Sequence, residues 1–412
     1  MIDNIIHTFF GNRHRFRHMT FDELSELYTS MMLRSLAMGM AGIFIPVYLY
    51  QHGYAIWQIL FFFFVTVTSQ AIFTIPAAKQ VARIGPKHTI LISYILQVAA
   101  LTGLVYIESL YASSMAGYLL LAALYGLSNT MFFMAFHVNF SKVKHHKNGG
   151  SELGWLYIME RIGAVSGPLA GGVVAYLFAP EYTFVIAIFL MLLAALPLFL
   201  TREAVKVNQR ISFKKLKIDE IKPDAISFSA ITLENAVAIV IWPLFLGVIV
   251  FQGNPYIQLG SITSISILIS ILATRSIGKI TDNKKGRQLL RFNASINAAL
   301  HLFRPFTSGY PMALAINLVN DGVTPGYRMP YFKGMYDAAD DHPGSRIVYV
   351  AILEEFGAVS RMLFFGFSAL AAYFVYADRV FFAALFAVGS LSSLAIMLER
   401  YPALKPRRFK KL

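Results

Sequence analysis

Ionisable side chains interrupt several long apolar segments of the sequence, and these residues are the ones best placed to do chemistry. A charge in an apolar surrounding is costly, so such a residue normally faces an interior cavity or a partner. A carboxylate in a cavity of low dielectric constant can also take up and release a proton near neutral pH. The residues concerned are Arg34, His137, Glu160, Arg161, Glu234, His301, Asp321, Arg328, Glu354, Glu355 and Arg361.

Glu234 and Asp321 lie nearest the middle of their apolar segments, about ten residues from the predicted ends. This depth predicts proton coupling or substrate contact for both carboxylates, with a structural hydrogen bond as the alternative. Arg34 has two interpretations of equal weight, an ion pair with Glu26 at the membrane surface or a contact with a cavity acid or anionic substrate.

Long apolar segments are the elements that must position these residues. Hydrophobic residues make up 57% of the 412 positions, which is more than a soluble chain of this length needs. Apolar runs of about 20 residues can span a bilayer, and they must be helical because lipid offers no partner for backbone groups. The predicted spans are roughly 28–50, 55–76, 89–107, 115–140, 154–178, 182–200, 225–250, 256–275, 289–307, 311–333, 346–375 and 380–398.

Basic residues are distributed unevenly among the connections between the spans. The net charge is +14, yet loops 51–54, 108–114, 179–181 and 251–255 contain no Lys or Arg. The positive-inside rule then predicts a multi-pass protein of the cell (inner) membrane with both termini in the cytoplasm. This distribution accounts for the charge without a nucleic-acid partner. The sequence contains no cysteine, which excludes disulfides and thiolate chemistry.

A polar, strongly basic stretch divides the chain into two halves, and a short repeat supports this division. Ile158–Ser166 reads IMERIGAVS and Ile352–Ser360 reads ILEEFGAVS, with six of nine positions identical. The predicted organisation is an N-terminal cytoplasmic or interfacial segment at 1–26, a six-helix bundle at 27–201, a cytoplasmic linker at 202–224, a second six-helix bundle at 225–400 and a basic cytoplasmic tail at 401–412.

Small residues recur at regular spacing in the fifth span. The pattern consists of Gly154, Gly163, Gly167, Pro168, Gly171 and Gly172. Three of these glycines are four residues apart and share a helix face, on which a neighbouring backbone can approach closely. The proline removes one backbone hydrogen bond and permits a bend. We expect this face to press against the eighth span, near residues 256–275.

A second motif occupies the loop between spans 2 and 3 and recurs between spans 8 and 9. The first copy contains Arg83 and Gly85, and the second contains Gly278 and Asp282. With the six-plus-six division and the glycine pattern of span 5, these loops resemble those of the major facilitator superfamily, and the resemblance covers essentially the whole chain. It implies that the four loop residues act in gating or in structure.

The resemblance also implies a fold and a cavity. The expected fold is an all-α integral membrane protein with twelve transmembrane helices in two pseudo-symmetric six-helix bundles. Helices 7 and 10 line the central cavity in this family, and Glu234 and Asp321 belong to them. The predicted cavity-lining residues are Asn129, Asn235, Trp242, Asn317 and Asn320.

Members of this family often close their inward gate with ion pairs. Glu160, Arg161, Glu354 and Glu355 lie about eight residues from the cytoplasmic ends of their spans, at positions related by the repeat. We expect these four residues to act in the gate or in structure. The remaining ionisable residues His137 and His301 are expected to be packing residues.

The glycine pattern of span 5 is typical of proton-coupled exporters. It implies a secondary active transporter that works by alternating access and exports a small amphipathic or cationic compound. The proton is the expected coupling ion, and no cofactor or metal is expected. The protein is expected to be a monomer in the lipid bilayer. Span 4 lacks the arginine that such exporters often carry, so an uptake symporter or facilitator for a small nutrient remains open, as does a non-transporting receptor. No HExxH or phosphate-binding motif indicates an enzyme.

Overall fold

Twelve long helices make up the part of the protein that the structure describes. The computed structural model describes residues 23–107, 115–143, 149–200, 207–213, 218–251, 253–280, 286–340 and 345–404, and every regular element in these ranges is helical. The helices are α1 (Glu23–Ala41, continued by a 3-10 turn at Gly42–Phe44 and by Ile45–Gln51), α2 (Ile56–Ile84), α3 (Pro86–Val105), α4 (Met115–Val143), α5 (Gly149–Leu177), α6 (Pro180–Ala195), α7 (Ile218–Ala236, continued to Val250), α8 (Pro255–Ile280), α9 (Gly286–Phe303), α10 (Tyr310–Asp340), α11 (Arg346–Phe374) and α12 (Arg379–Ala395).

Each predicted span falls on one of these helices. Seven of the described helices are long and apolar enough to cross a membrane by length and composition, namely α1, α2, α3, α4, α6, α7 and α12. Of the others, α5, α9, α10 and α11 carry charged or amide side chains in their central turns, and the apolar part of α8 is Pro255–Ile271. Charged and amide side chains therefore distinguish four of these helices from the seven, and the shorter apolar part distinguishes α8.

Helices α1–α6 pack with one another, and so do α7–α12, while two helix pairs form the most extensive contacts between the two groups. One pair is α2 with α11, where the rings of Phe63 and Phe365 lie 5.6 Å apart. The other is α5 with α8, where the backbone amide of Leu169 donates to the Ser264 hydroxyl at 3.1 Å. We call α1–α6 the first half and α7–α12 the second half.

The glycine face of α5 packs against α1 of the same half. A Cβ atom on Gly163 would overlap the backbone carbonyl of Met32, and one on Gly167 would lie 2.8 Å from the carbonyl oxygen of Leu36. The expectation that these glycines meet α8 is therefore wrong. A row of glycines indicates a close approach, but it does not indicate which neighbour approaches.

The α5–α8 contact is formed by another face of α5. A Cβ atom on Gly172 would lie 2.7 Å from the carbonyl oxygen of Tyr256, and one on Gly260 would overlap the carbonyl of Pro168. Helix α5 thus lies between α1 and α8 and contacts both backbones closely. Close contacts of this kind need a missing side chain on at least one of the two helices.

The short sequence repeat corresponds to equivalent packing in the two halves. Gly163 of α5 contacts α1, and its repeat partner Gly357 of α11 contacts α7, where a Cβ atom would lie 3.0 Å from Phe228. The fifth helix of each half therefore packs against the first helix of that half through the same glycine of the repeat.

Two predicted boundaries differ from the structure. Helix α7 begins at Ile218, inside the predicted linker 202–224, because its first turns are polar but still helical. The predicted tail 401–412 begins with a packed residue, since Tyr401 is fully buried and its ring lies against Gly334 of α10. The segment before residue 23 and the tail from residue 405 lie outside the described residues.

An ion pair ties the start of α9 to the chain that follows α12. Arg287 donates through Nε and Nη2 to the two carboxylate oxygens of Glu399, at 2.6 and 3.0 Å. Its Nη2 also donates to the carbonyl oxygen of Tyr401 at 3.1 Å. Paired N–H···O bonds of this kind fix direction as well as position.

Helix α7 changes its winding halfway along its length. π-helical turns at Val237–Ile241 and Leu246–Val250 flank Trp242–Phe245, with Pro243 between them. A π turn adds one residue to the hydrogen-bonded ring, so side chains after it point in directions that a regular helix would not give them.

Candidate functional site

A cavity of about 120 Å³ lies between the two halves. Side chains from α1, α2, α4 and α5 line it on one side, and side chains from α7, α10 and α11 line it on the other. The lining residues are Met31, Gln70, Thr74, Asn129, Thr130, Phe133, Phe136, His137, Leu156, Tyr157, Glu160, Phe228, Ile231, Thr232, Asn235, Arg328, Phe332, Tyr336, Glu354, Ala358 and Arg361.

A polar link crosses the cavity between the halves. The imidazole of His137 on α4 places Nδ1 2.8 Å from the Tyr336 hydroxyl on α10. Its Nε2 lies 3.3 Å from Oε1 of Glu354 on α11. A neutral imidazole protonated on Nε2 can accept a hydrogen bond from the tyrosine, and its N–H is then on the side of the glutamate. His137, predicted as a packing residue, therefore bridges three helices and both halves.

Arg328 on α10 occupies the second half of the cavity. Its Nη1 donates to the Asn235 side-chain oxygen at 2.9 Å, and its guanidinium lies 5.8 Å from the centre of the Phe332 ring. Arg328 lies within electrostatic range of two carboxylates, Glu160 of the first half and Glu234 of the second.

Glu234 lies outside the cavity, inside the second half. It is 1% exposed, and its carboxylate accepts hydrogen bonds from Asn297 Nδ2 at 2.9 Å and from the Tyr327 hydroxyl at 3.0 Å. Nε2 of His301 lies 3.4 Å from the same carboxylate. The next residue, Asn235, lines the cavity, because consecutive helix residues point about 100° apart.

Three of the predicted cavity residues belong to this buried cluster instead. Arg304, which is fully buried, donates to the Asn320 side-chain oxygen at 2.9 Å and lies 5.0 Å from the centre of the Trp242 ring. The Trp242 indole donates to Asn317 Oδ1 at 2.7 Å. The prediction that Trp242, Asn317 and Asn320 line the cavity is corrected, since their side chains partner one another and Arg304 within the second half. Of the five residues predicted to line it, Asn129 and Asn235 do so.

Sequence reasoning missed Asn297, Arg304 and Tyr327 as members of this cluster. A signal was present, because span 9 is the most polar of the predicted spans and contains Asn297, His301 and Arg304 at intervals of four and three residues. Such spacing places the three side chains on one helix face.

Asp321 lies at the junction of the halves rather than in the cavity lining. Its Oδ1 is 3.8 Å from Nη1 of Arg161 on α5, and it accepts a hydrogen bond from Ser266 of α8. Of the four predicted gate residues, Arg161 thus forms an ion pair across the halves, and Glu354 contacts the His137 imidazole across them. Glu160 faces the cavity, and Glu355 is half-buried on α11 outside the lining.

Arg34 has neither of its predicted ionic partners at contact distance. Its Nη2 donates to Asn129 Oδ1 at 3.2 Å, and its guanidinium lies over the Phe132 ring at 3.7 Å. Glu26 instead pairs with Lys87 of α3 at 2.6 Å, and both of these side chains are buried.

The loop motifs are described only in part. Gly85 joins α2 to α3 with φ of +91°, a conformation that favours glycine, while Arg83 is exposed. Gly278 lies near the end of α8, and Asp282 lies outside the described residues.

Comparisons with known proteins agree with this architecture. No curated protein sequence matches the chain significantly. The crystal structure of a bacterial homologue of the iron transporter ferroportin in an outward-facing state is similar, with a TM-score of 0.66 and 12% identity over 92% of this chain and 98% of that chain. The human organic anion transporter MFSD10 (TETRAN) is similar with a TM-score of 0.65 and 12% identity, over 90% and 98% of the two chains. The Major Facilitator Superfamily profile matches residues 27–324. The chain therefore belongs to the major facilitator superfamily.

Proposed function

We propose that this membrane transporter is a secondary active transporter that works by alternating access and exports a small amphipathic or cationic compound in exchange for protons. The observation that carries the proposal is the central cavity, whose lining comes from both halves and combines charged, amide and aromatic side chains. A cavity of this kind lets each half bind the solute while the halves rock around it.

Two features of the cavity favour an amphipathic or cationic solute. Phe133, Phe136 and Phe332 supply apolar surface, and the carboxylate of Glu160 supplies negative charge. A cation with an apolar portion would find a favourable contact for each part.

Proton coupling is assigned to Glu234 through its electrostatic effect on Arg328. When Glu234 is ionised, its charge offsets that of Arg328, and the cavity tolerates a cation near Glu160. When Glu234 takes up a proton, Arg328 keeps only the offset from Glu160 and repels the cation more strongly. Proton uptake then lowers the affinity for a cationic solute, which is the linkage that antiport requires. Asp321 stays the second candidate for the proton site, because it accepts a hydrogen bond from Ser266 and pairs with Arg161 at the junction of the halves.

The uneven charge of the connections supports the proposed orientation in the inner membrane, with both termini in the cytoplasm. Uptake by a symporter or facilitator is the second candidate function, favoured by the absence of arginine from the α4 sequence. A receptor without transport activity is the third.

The experiment is a flux measurement with the full-length chain in sealed proteoliposomes that contain a pH-sensitive dye. Addition of amphipathic amines to one side, without a membrane potential, is expected to move protons toward the side from which the amine leaves. Solute movement without proton movement would assign the protein to facilitated transport, and neither movement would assign it to the receptor class.

A further inference from the structure

Two of the charged groups in the central cavity have a neighbouring side chain at contact distance. Glu354 faces His137 at 3.3 Å, and Arg328 donates to Asn235 at 2.9 Å. These groups hold the halves or the helices together without help from a solute.

Two other charged groups in the cavity have no contact of this kind. Glu160 of α5 lies within electrostatic range of Arg34 and Arg328, but it makes no hydrogen bond or contact ion pair with any residue that the structure describes. Arg361 of α11 donates through Nε to the carbonyl oxygen of Gly357 at 3.0 Å. Its two terminal nitrogens have no hydrogen-bond partner in the described part of the chain. Glu354 lies within electrostatic range of Arg361, but its close contact is with His137.

These two groups come from opposite halves and do not pair with each other. Burying an ionised side chain inside a membrane protein without a partner costs free energy. This cost applies to both Glu160 and Arg361. Phe133 and Phe332 form apolar walls of the same cavity. The cavity thus presents a carboxylate on one half, a guanidinium on the other and aromatic surface beside them.

We propose that the cavity recognises a small amphipathic zwitterion, whose cationic group binds Glu160 and whose carboxylate binds Arg361. This inference rests on the transport function proposed above and specifies its solute. The terminal nitrogens of a guanidinium can hold a carboxylate by two parallel hydrogen bonds. A solute with both charges gives each of these groups a partner and joins the halves, whereas a solute with one charge leaves the other group unpaired.

The test uses the purified full-length chain and three zwitterions, L-leucine, L-phenylalanine and L-leucyl-L-alanine. Each is compared with its C-terminal amide, which is a cation, and with its N-acetyl derivative, which is an anion. Affinity is measured from the shift in the midpoint of thermal unfolding. At least one zwitterion is expected to bind about tenfold more tightly than both of its analogues. If no zwitterion exceeds both analogues, the proposal is wrong.

Two variants assign the ends of the solute. In Glu160→Gln, the N-acetyl derivative should bind with the same affinity as the zwitterion. In Arg361→Gln, the C-terminal amide should bind with the same affinity as the zwitterion. Glu181→Gln is the matched control, because this carboxylate is not among the lining residues and accepts a hydrogen bond from the Tyr48 hydroxyl. Full discrimination retained by either cavity variant would overturn the assignment of that residue.

The series of solutes on the unchanged chain keeps the test valid even where a variant fails to fold. It also separates this inference from the transport function. Proton flux driven by a solute outside the series, with no zwitterion preferred, would refute the solute class and leave transport standing. Zwitterion binding with the expected discrimination, but without flux under any condition, would refute transport and leave the binding site standing.

Discussion

At the residue scale, Glu234 is a carboxylate enclosed by hydrogen-bond donors from two other helices of its own half. We expect Glu234→Gln to reduce pH-driven solute accumulation about tenfold or more. Exchange of labelled for unlabelled solute should continue. The amide cannot take up a proton, and exchange needs no net proton movement. The measurement is uptake into proteoliposomes with an imposed pH gradient, beside counterflow without one.

Asp321→Asn is the comparison for that variant, because it changes the second candidate carboxylate. Unchanged pH-driven accumulation in Glu234→Gln with loss in Asp321→Asn would move the proton site to the α5–α8–α10 junction. Unchanged accumulation in both variants would rule out both carboxylates.

Glu354 supports a second residue-scale prediction, since its contact with His137 joins the halves on the side of the bundle where α1 begins. Glu354→Gln should weaken this link by about 1 kcal/mol and raise the population open on that side about fivefold. The measurement is the rate at which a water-soluble maleimide modifies Ala358→Cys, a residue of the cavity lining.

Glu355→Gln serves as the control, because this neighbouring carboxylate is on the same helix but not in the lining. A modification rate that rises equally in both variants would indicate a general loosening of α11 rather than the loss of the His137 link.

At the element scale, the glycine face of α5 predicts where a single methyl group is tolerated. Gly163→Ala should lower stability by about 1–3 kcal/mol, because the new Cβ meets the rigid backbone of α1. Gly253→Ala should change stability little, since no atom lies within 4 Å of its added Cβ. The midpoint of thermal unfolding in detergent measures both. Equal midpoints for the two variants would contradict the packing described for α5 and α1.

Part of this element-level structure follows from sequence and part does not. The spacing of Gly163, Gly167 and Gly171 predicts a close helix contact, but the partner is fixed by three-dimensional packing, and it is α1. Counting residues gives the depth of Glu234 in the membrane, because each residue adds a constant rise. The direction of its side chain depends on the rotation of α7, which counting does not supply. Trp242 follows a π turn, which changes the direction of its side chain relative to a regular helix.

At the scale of the whole molecule, the twelve helices and the family follow from apolar segments and motifs, since membrane spanning restricts the choice of structure. The spacing of Asn297, His301 and Arg304 indicates a polar face on α9. The partners of this face come from α7 and α10 and could not be predicted, because the mutual rotations of these helices depend on packing. The set of side chains that line the cavity could not be predicted for the same reason, because it depends on how the two halves pack against each other.

Alternating access predicts that a link between the halves stops transport. The sequence has no cysteine, so Trp57→Cys with Tyr373→Cys gives the only two thiols; these rings lie 5.4 Å apart between α2 and α11. Bridging them with a short thiol-reactive cross-linker should reduce solute flux at least about tenfold. Each single-cysteine variant, treated in the same way, should keep its flux. Undiminished flux through the bridged protein would contradict alternating access.

The ion pair between Arg287 and Glu399 has a consequence for biosynthesis. Glu399 follows α12 in the chain, so it leaves the ribosome after all twelve helices have been made. Until then, Arg287 at the start of α9 cannot pair with Glu399. The second half therefore cannot complete its packing around Tyr401. Folding of the second half therefore finishes after translation of the last helix, and a chain truncated before Glu399 is expected to be recognised by membrane quality-control proteases even with every span inserted.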